Sequence, residues 1–154
     1  MINEANGTPS HTDMIKLLLR AVRDAGAVAQ PEWTLPNGKI ADICYATQFD
    51  GLHIVEVKTT IAPHLFTRTF DKYANHCHYL WLAAPEFDPA LRMPEAALHS
   101  WSQREDRIGL LSISWSGAAV IRPARLLDGP PINGKFTLSR LRASLATGEL
   151  ALTS

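Results

Sequence analysis

The sequence predicts an α/β domain built on a mixed central sheet, in the order helix, three-stranded meander, helix, strand, with smaller trailing elements. Three observations carry this. A 3.6-residue apolar period opens the chain, three strand-length runs separated by turn residues follow, and "HYLWLAAP" (78–85) is apolar throughout, as a buried central strand is.

The first helix is read over "SHTDMIKLLLRAVRDAGA" (10–27). Met14, Leu17, Leu18, Ala21, Val22 and Ala25 form one face, and Lys16, Arg20, Arg23 and Asp24 the other. Ser10 or Thr12 caps its start and Gly26 suits its end. "VAQPEWTL" reads as the first strand, placed at an edge or bulge because Pro31 has no N–H for a ladder. "PNG" (36–38) turns the chain into "KIADICY", and "ATQFDG" turns it again at Asp50-Gly51 into "LHIVEVKTT". "LFTRTFDKYANHC" spaces Phe66, Phe70, Tyr73 and Cys77 at near-helical intervals. "PEAALHSW" reads as a short helix from Pro94, "RIGLLSISWSGAAVIRPA" as a closing hairpin turning near Ser116-Gly117, and "TLSRLRASLATGEL" as a C-terminal helix.

With 154 residues, one domain is expected, residues 1–10 forming a flexible tail. Fifteen Lys and Arg balance fifteen Asp and Glu, so any attraction to phosphate must come from a local patch. Cys44 and Cys77 make neither a disulfide framework nor a zinc motif. No apolar run approaches the ~18 residues of a membrane span, and the N-terminus has no basic-then-hydrophobic leader. The expected setting is a reducing cytoplasm.

The charges within the second and third strands need a reason. Glu56 and Lys58 share a face with Ile54, and Asp42 is expected to share one with Ile40 and Cys44. A loop symmetric about Gln48–Asp50 puts Tyr45 opposite His53, Ile43 opposite Val55 and Asp42 opposite Glu56. Facing Cβ atoms lie about 4.5–5.5 Å apart. Two carboxylates at ~5 Å repel by roughly 3 kcal/mol at an effective dielectric near 20. A shared proton, a basic neighbour or a cation must compensate. Lys58 offers one charge; Mg²⁺ or Mn²⁺ offers two and prefers carboxylate oxygen. Folding the first hairpin about Asn37 adds Glu32 opposite Asp42 as a possible third acid, unless a bulge at Gly38 breaks the register. Two acids and a lysine around a metal suit phosphodiester hydrolysis.

At these residues the chain resembles the PD-(D/E)XK nuclease superfamily: "AD", thirteen residues, then "EVK". The resemblance implies a restriction-endonuclease-like core, a single nuclease domain over 1–154, catalytic Asp42, Glu56 and Lys58, and Mg²⁺ or Mn²⁺ held by Asp42, Glu56 and the Val57 carbonyl. More narrowly, "PEWTLPNGKIADI", "HIVEVKTT", "FDKYANHCHYLWLAAPEF" and "GLLSISWSGAAVIRPA" are similar to the MmcB family associated with DNA repair. The likeness runs over roughly residues 13 to 125. It implies DNA as partner, with a homodimer or a recruiting repair protein helping a neutral domain to hold it. Three departures stand out: Asp13 where a helix glutamate is usual, Ala41 for the motif's proline, and Gly38-Lys39-Ile40 where the family carries an arginine pair before Ala-Asp.

Arg68, Lys72 and Tyr73 are the substrate-facing candidates of the second helix, although Tyr73 also lies on its apolar stripe. Arg140 and Arg142 offer a phosphate track, and His53 and His64 flank the third strand. The plain alternative for Asp42, Glu56 and Lys58 is a salt bridge at the sheet rim. The alternative function is a catalytically inactive module that binds nucleic acid or protein on the same fold, and a third reading is an α/β domain outside the superfamily.

Overall fold

The computed structural model of the protein describes residues 7–47, 51–102, 105–129, 131–132 and 134–146. Helix α1 (His11–Asp24) leads into the strands β1 (Val28–Thr34), β2 (Ile40–Thr47) and β3 (Gly51–Val57). Helix α2 (His64–Tyr73) follows and tightens into a 3₁₀ turn, Ala74–His76. Then come β4 (Tyr79–Pro85), α3 (Glu95–Trp101), the hairpin β5 (Gly109–Ser114) and β6 (Gly117–Arg122), and α4 (Gly134–Ala146). The turn expected at Asp50-Gly51 and the C-terminal helix beyond residue 146 fall partly outside the described residues.

The six strands lie in the order in which they occur, β1 to β6. Pairing is antiparallel except for β3–β4 and β4–β5, which are parallel, so β4 is central as its apolar run predicts. Both parallel connections pack on one face. The first brings Phe66 and Tyr73 of α2 into the larger core cluster; the second brings Ala90, Leu91 and Leu98 into the same cluster. Two crossovers of one hand moving the same way along a sheet must share a face. Met14, Leu18 and Leu19 of α1 cover the other face, against Ile43, Val55, Val57 and Trp81. The result is helix, sheet, helix.

The local signals read from sequence hold at α1. Ser10 caps it, its side chain accepting from Asp13 N while Asp13 Oδ2 accepts from Ser10 N at 3.0 Å. Pro31 sits on the edge strand, as its missing donor requires.

Cys44 and Cys77 are both free and buried in the larger cluster. Burial pushes the Cys44 thiol up to about 12, and desolvation raises Cys77 as well, with Cys44 adding to it.

Gly109 shows how closely β5 approaches β4. A Cβ there would lie 2.5 Å from Trp81 Cε3 and 2.6 Å from Ala124 N, one a rigid ring and the other backbone. Gly109→Ala is therefore expected to destabilise the fold by about 1–3 kcal/mol or more. Chemical denaturation checks this; an unchanged midpoint would mean that the ring and the 124 backbone yield freely.

Candidate functional site

The β2–β3 register places Ile43 opposite Val55 and Tyr45 opposite His53, as the symmetric loop predicts. Continuing it brings Asp42 beside Glu56, whose carboxyl senses the Asp42 charge. Glu56 belongs to the last turn of the β3 pleat, and Lys58 follows just beyond the strand end.

Asp42 does not take the face expected of it. Ala41 packs with Cys44 and Ala46 in one cluster, whereas Ile43 and Tyr45 pack in the other, so the two-residue alternation of β2 breaks at Asp42. The cause lies on the neighbouring strand. Pro31 pairs with Ile43 and Trp33 with Ala41, while Glu32, between them, has a φ of 49°. That left-handed conformation in a glutamate swings β1 through a half-turn and β2 with it. The irregularity is thus at Glu32, not at Gly38, and it leaves the hairpin register intact.

The swing gives Asp42 partners on two sides. Its Oδ2 accepts the Val57 backbone N–H at 2.8 Å, and His11 Nε2 of α1 lies 3.4 Å away. His11 is a site residue that the sequence reading missed; a histidine in the first turn of an amphipathic helix carries no mark of the strand it will meet. Val57 meets Asp42 through its amide, where the resemblance gives its carbonyl to a metal.

Glu56 is buried, 6 % exposed, and held from three directions. Tyr73 Oη lies 3.1 Å from Oε1, Lys58 Nζ 3.4 Å and Lys72 Nζ 3.7 Å from Oε2. Tyr73 is completely buried, and its hydroxyl also lies 3.0 Å from the Ile40 carbonyl. It therefore faces no substrate groove: the core reading of its apolar stripe holds over the substrate-facing one, and its hydroxyl fixes Glu56 and β2 to α2. Lys72 reaches the acid as a second lysine of the site. Arg68, one turn earlier on α2, is exposed.

The remaining expected residues lie elsewhere. Asp13 is spent on the α1 cap. Glu32 is exposed opposite Asp42, and among the described residues no three His, Cys, Asp or Glu side chains group as a metal site. Arg140 stacks on Trp33, its guanidinium 4.6 Å from the ring centre, and Arg142 is exposed. His53 is buried between Tyr45 and Tyr79, with centroids 4.4 and 4.7 Å away, and accepts from Trp81 Nε1 at 3.0 Å. His64 is exposed at the start of α2.

Burial, then the Asp42 charge, raise the Glu56 carboxyl above the ordinary glutamate value, and Lys58, Lys72 and Tyr73 only partly offset them. The sign for stability follows. Above the unfolded value and below the raised one, the folded state holds a proton that the unfolded state has released, so stability falls as pH rises through that window. Melting temperatures taken between about pH 4 and 8 with EDTA present should show this fall, and Glu56→Gln should flatten it. Identical pH profiles for the two proteins would rule out Glu56 as the source.

No protein-family model matches the chain, and no curated protein matches it. A solved structure, a protein of unknown function from Silicibacter pomeroyi, superimposes with a TM-score of 0.67 at 18% identity, over 92% of this chain and 90% of that one. The two share this α/β fold with its mixed, helix-flanked sheet.

Proposed function

We propose that the protein is a metal-dependent nuclease of the PD-(D/E)XK kind that hydrolyses DNA phosphodiester bonds in repair, as the MmcB resemblance implies. The observation that supports this reading is the pairing of a buried, charge-strained Glu56 with Asp42 on the next strand, Lys58 Nζ standing 3.4 Å from the buried acid.

The donor set fits Mg²⁺ or Mn²⁺. Both side chains offer carboxylate oxygen, and the repulsion that lifts Glu56 is what a divalent cation removes. Asp42 and Glu56 would hold it, with Val57 beside them. When bound, such an ion polarises a phosphate oxygen and acidifies a water. The chain's own residues do the rest. The Val57 amide and His11 aim Asp42, Tyr73 holds Glu56, and Lys58 is placed to orient a water or to steady charge growing on the phosphoryl oxygens. A reducing cytoplasm suits the two buried free thiols, and a second copy or a recruiting repair protein would add the grip that a neutral domain lacks.

The test is incubation with DNA and Mn²⁺ beside an Asp42→Ala variant. Cleavage by the parent alone is expected; equal cleavage by both, or none of any nucleic acid by either, ends the reading. One observation favours a module that binds without turnover. Lys58 and Lys72 both pair with Glu56 and together supply the positive charge that a metal would otherwise bring. Calorimetric titration with Mn²⁺ separates the two, since the binding module has no need of the ion.

A further inference from the structure

A cleft of about 320 Å³ runs between α1 and the first hairpin and ends at the acid just described. Ile15, Lys16, Leu19 and Arg23 form its helix side, and Pro31 and Asp42 face them. From His11 to Arg23 the helix covers about 18 Å at 1.5 Å per residue, so the cleft is a track and not a hole. Its charge is divided along that length. Glu32 also lines it, and because Glu32 and Asp42 both fall between the pairs Pro31–Ile43 and Trp33–Ala41, the acids gather at one level of the hairpin.

The basic residues occupy the rest. Arg23 is fixed in place: its Nε and Nη2 donate to the Ala29 carbonyl at 3.2 and 2.7 Å. Among the described residues no salt bridge engages this guanidinium, and the exposed Lys16 ammonium feels the Asp13 carboxylate three residues earlier while keeping its donors open to solvent. Of the five guanidinium protons, two are donated to Ala29, and no hydrogen bond of the others is formed among the described residues. Ile15, Leu19 and Pro31 add an apolar wall. Cations with open donors beside apolar surface complement a chain of phosphates carrying flat bases.

On this basis, which rests on the proposed nuclease reading, we infer that the cleft carries a single strand of nucleic acid away from the Asp42–Glu56 centre. Lys16 and Arg23 take successive backbone phosphates, and the bases lean on Ile15, Leu19 and Pro31. The substrate class is therefore a strand with an unpaired segment beside the cut, since the cleft's two cations lie along a single helix and offer contacts to one backbone.

The experiment uses the full chain with EDTA present, so that nothing is cleaved. A short fluorescent single-stranded oligodeoxynucleotide is titrated while anisotropy is followed over a range of salt. Two phosphate contacts predict a slope of log affinity on log salt near −1.4, at about 0.7 for each contact on a single strand. Lys16→Glu should weaken binding at least about tenfold and remove about 0.7 from that slope. Leu19→Trp, which fills the wall, should weaken it too; because Leu19 is buried, the exposed Lys16 variant stands as the independent check on folding. Affinity unchanged in Lys16→Glu, or a preference for blunt duplex that ignores both substitutions, overturns the inference. Mn²⁺ binding that needs Asp42, with no oligonucleotide binding, overturns the cleft and leaves the nuclease reading standing. Cleft-dependent oligonucleotide binding without Mn²⁺ binding supports the cleft and removes the nuclease.

Discussion

Under the proposed nuclease function, Lys58→Met is expected to slow DNA cleavage by about 10²–10⁴-fold while Mn²⁺ still binds. Lys58 and Lys72 stand at similar distances from Glu56 Oε2, 3.4 and 3.7 Å, and are about equally exposed. They differ in anchorage. Lys58 leaves the end of the strand that carries Glu56, whereas Lys72 reaches over from α2, its Nζ 4.9 Å from the centre of the Tyr73 ring. A group that must meet a water beside the acids is better held from the strand. Removing either lysine takes a positive charge from the acids, so neither loss should weaken the hold on a cation. Lys72→Met should cost about tenfold or less in rate, as the loss of one screened charge does. Single-turnover rates for the two variants decide it. Cleavage by Lys58→Met within threefold of the parent would take the catalytic role from Lys58, and a larger loss in Lys72→Met would hand that role to the helix.

Phe66→Ala is expected to cost about 3–5 kcal/mol, a large share of the roughly 5–15 kcal/mol that holds a domain together. Phe66 is completely buried in the larger cluster and meets the Trp101 ring edge-on at 6.0 Å. Its face also lies 5.7 Å from the Arg122 guanidinium. That arginine is buried, with Nε and Nη2 donating to the Ile108 carbonyl, Nη2 also to that of Glu105, and no hydrogen-bond partner at Nη1 among the described residues. Truncating Phe66 opens a cavity and strips the guanidinium of its aromatic neighbour. In urea the midpoint should fall by about 2 M, for a dependence near 2 kcal/mol per molar. A loss below about 1.5 kcal/mol would mean that the core collapses into the gap, unlike most phenylalanine sites. The candidate site is exposed to the same change, because α2 also carries Tyr73 and Lys72 to Glu56.

Much of this was legible in the sequence, for reasons that can be named. The β2–β3 register followed from the lengths of two apolar runs around one turn, since alternation fixes which residues face inward. Ser10 and Pro31 behaved as their chemistry demands. The misreadings share a different cause. Nothing in "QPEWT" announces that Glu32 adopts a left-handed backbone, because glutamate has no preference for it, and so the turn of Asp42 toward α1 stayed hidden. His11 was invisible for another reason. Its place depends on how a helix lies across a sheet, which no local pattern encodes. Tyr73 was legible as core from its stripe, but its hydroxyl contact to Glu56 needed the three-dimensional fold.

The two sequestered sulfurs beneath the sheet turn the protein into its own clock. Neither is available as a thiolate while the strands are closed, for burial holds Cys44 near 12 and Cys77 up as well. An alkylating reagent added in excess can then advance only as often as the larger core opens, so the pace of labelling measures that opening without any denaturant. Substitutions that loosen the core, such as the one at Phe66, should quicken it; charge changes at the exposed cleft should leave it alone.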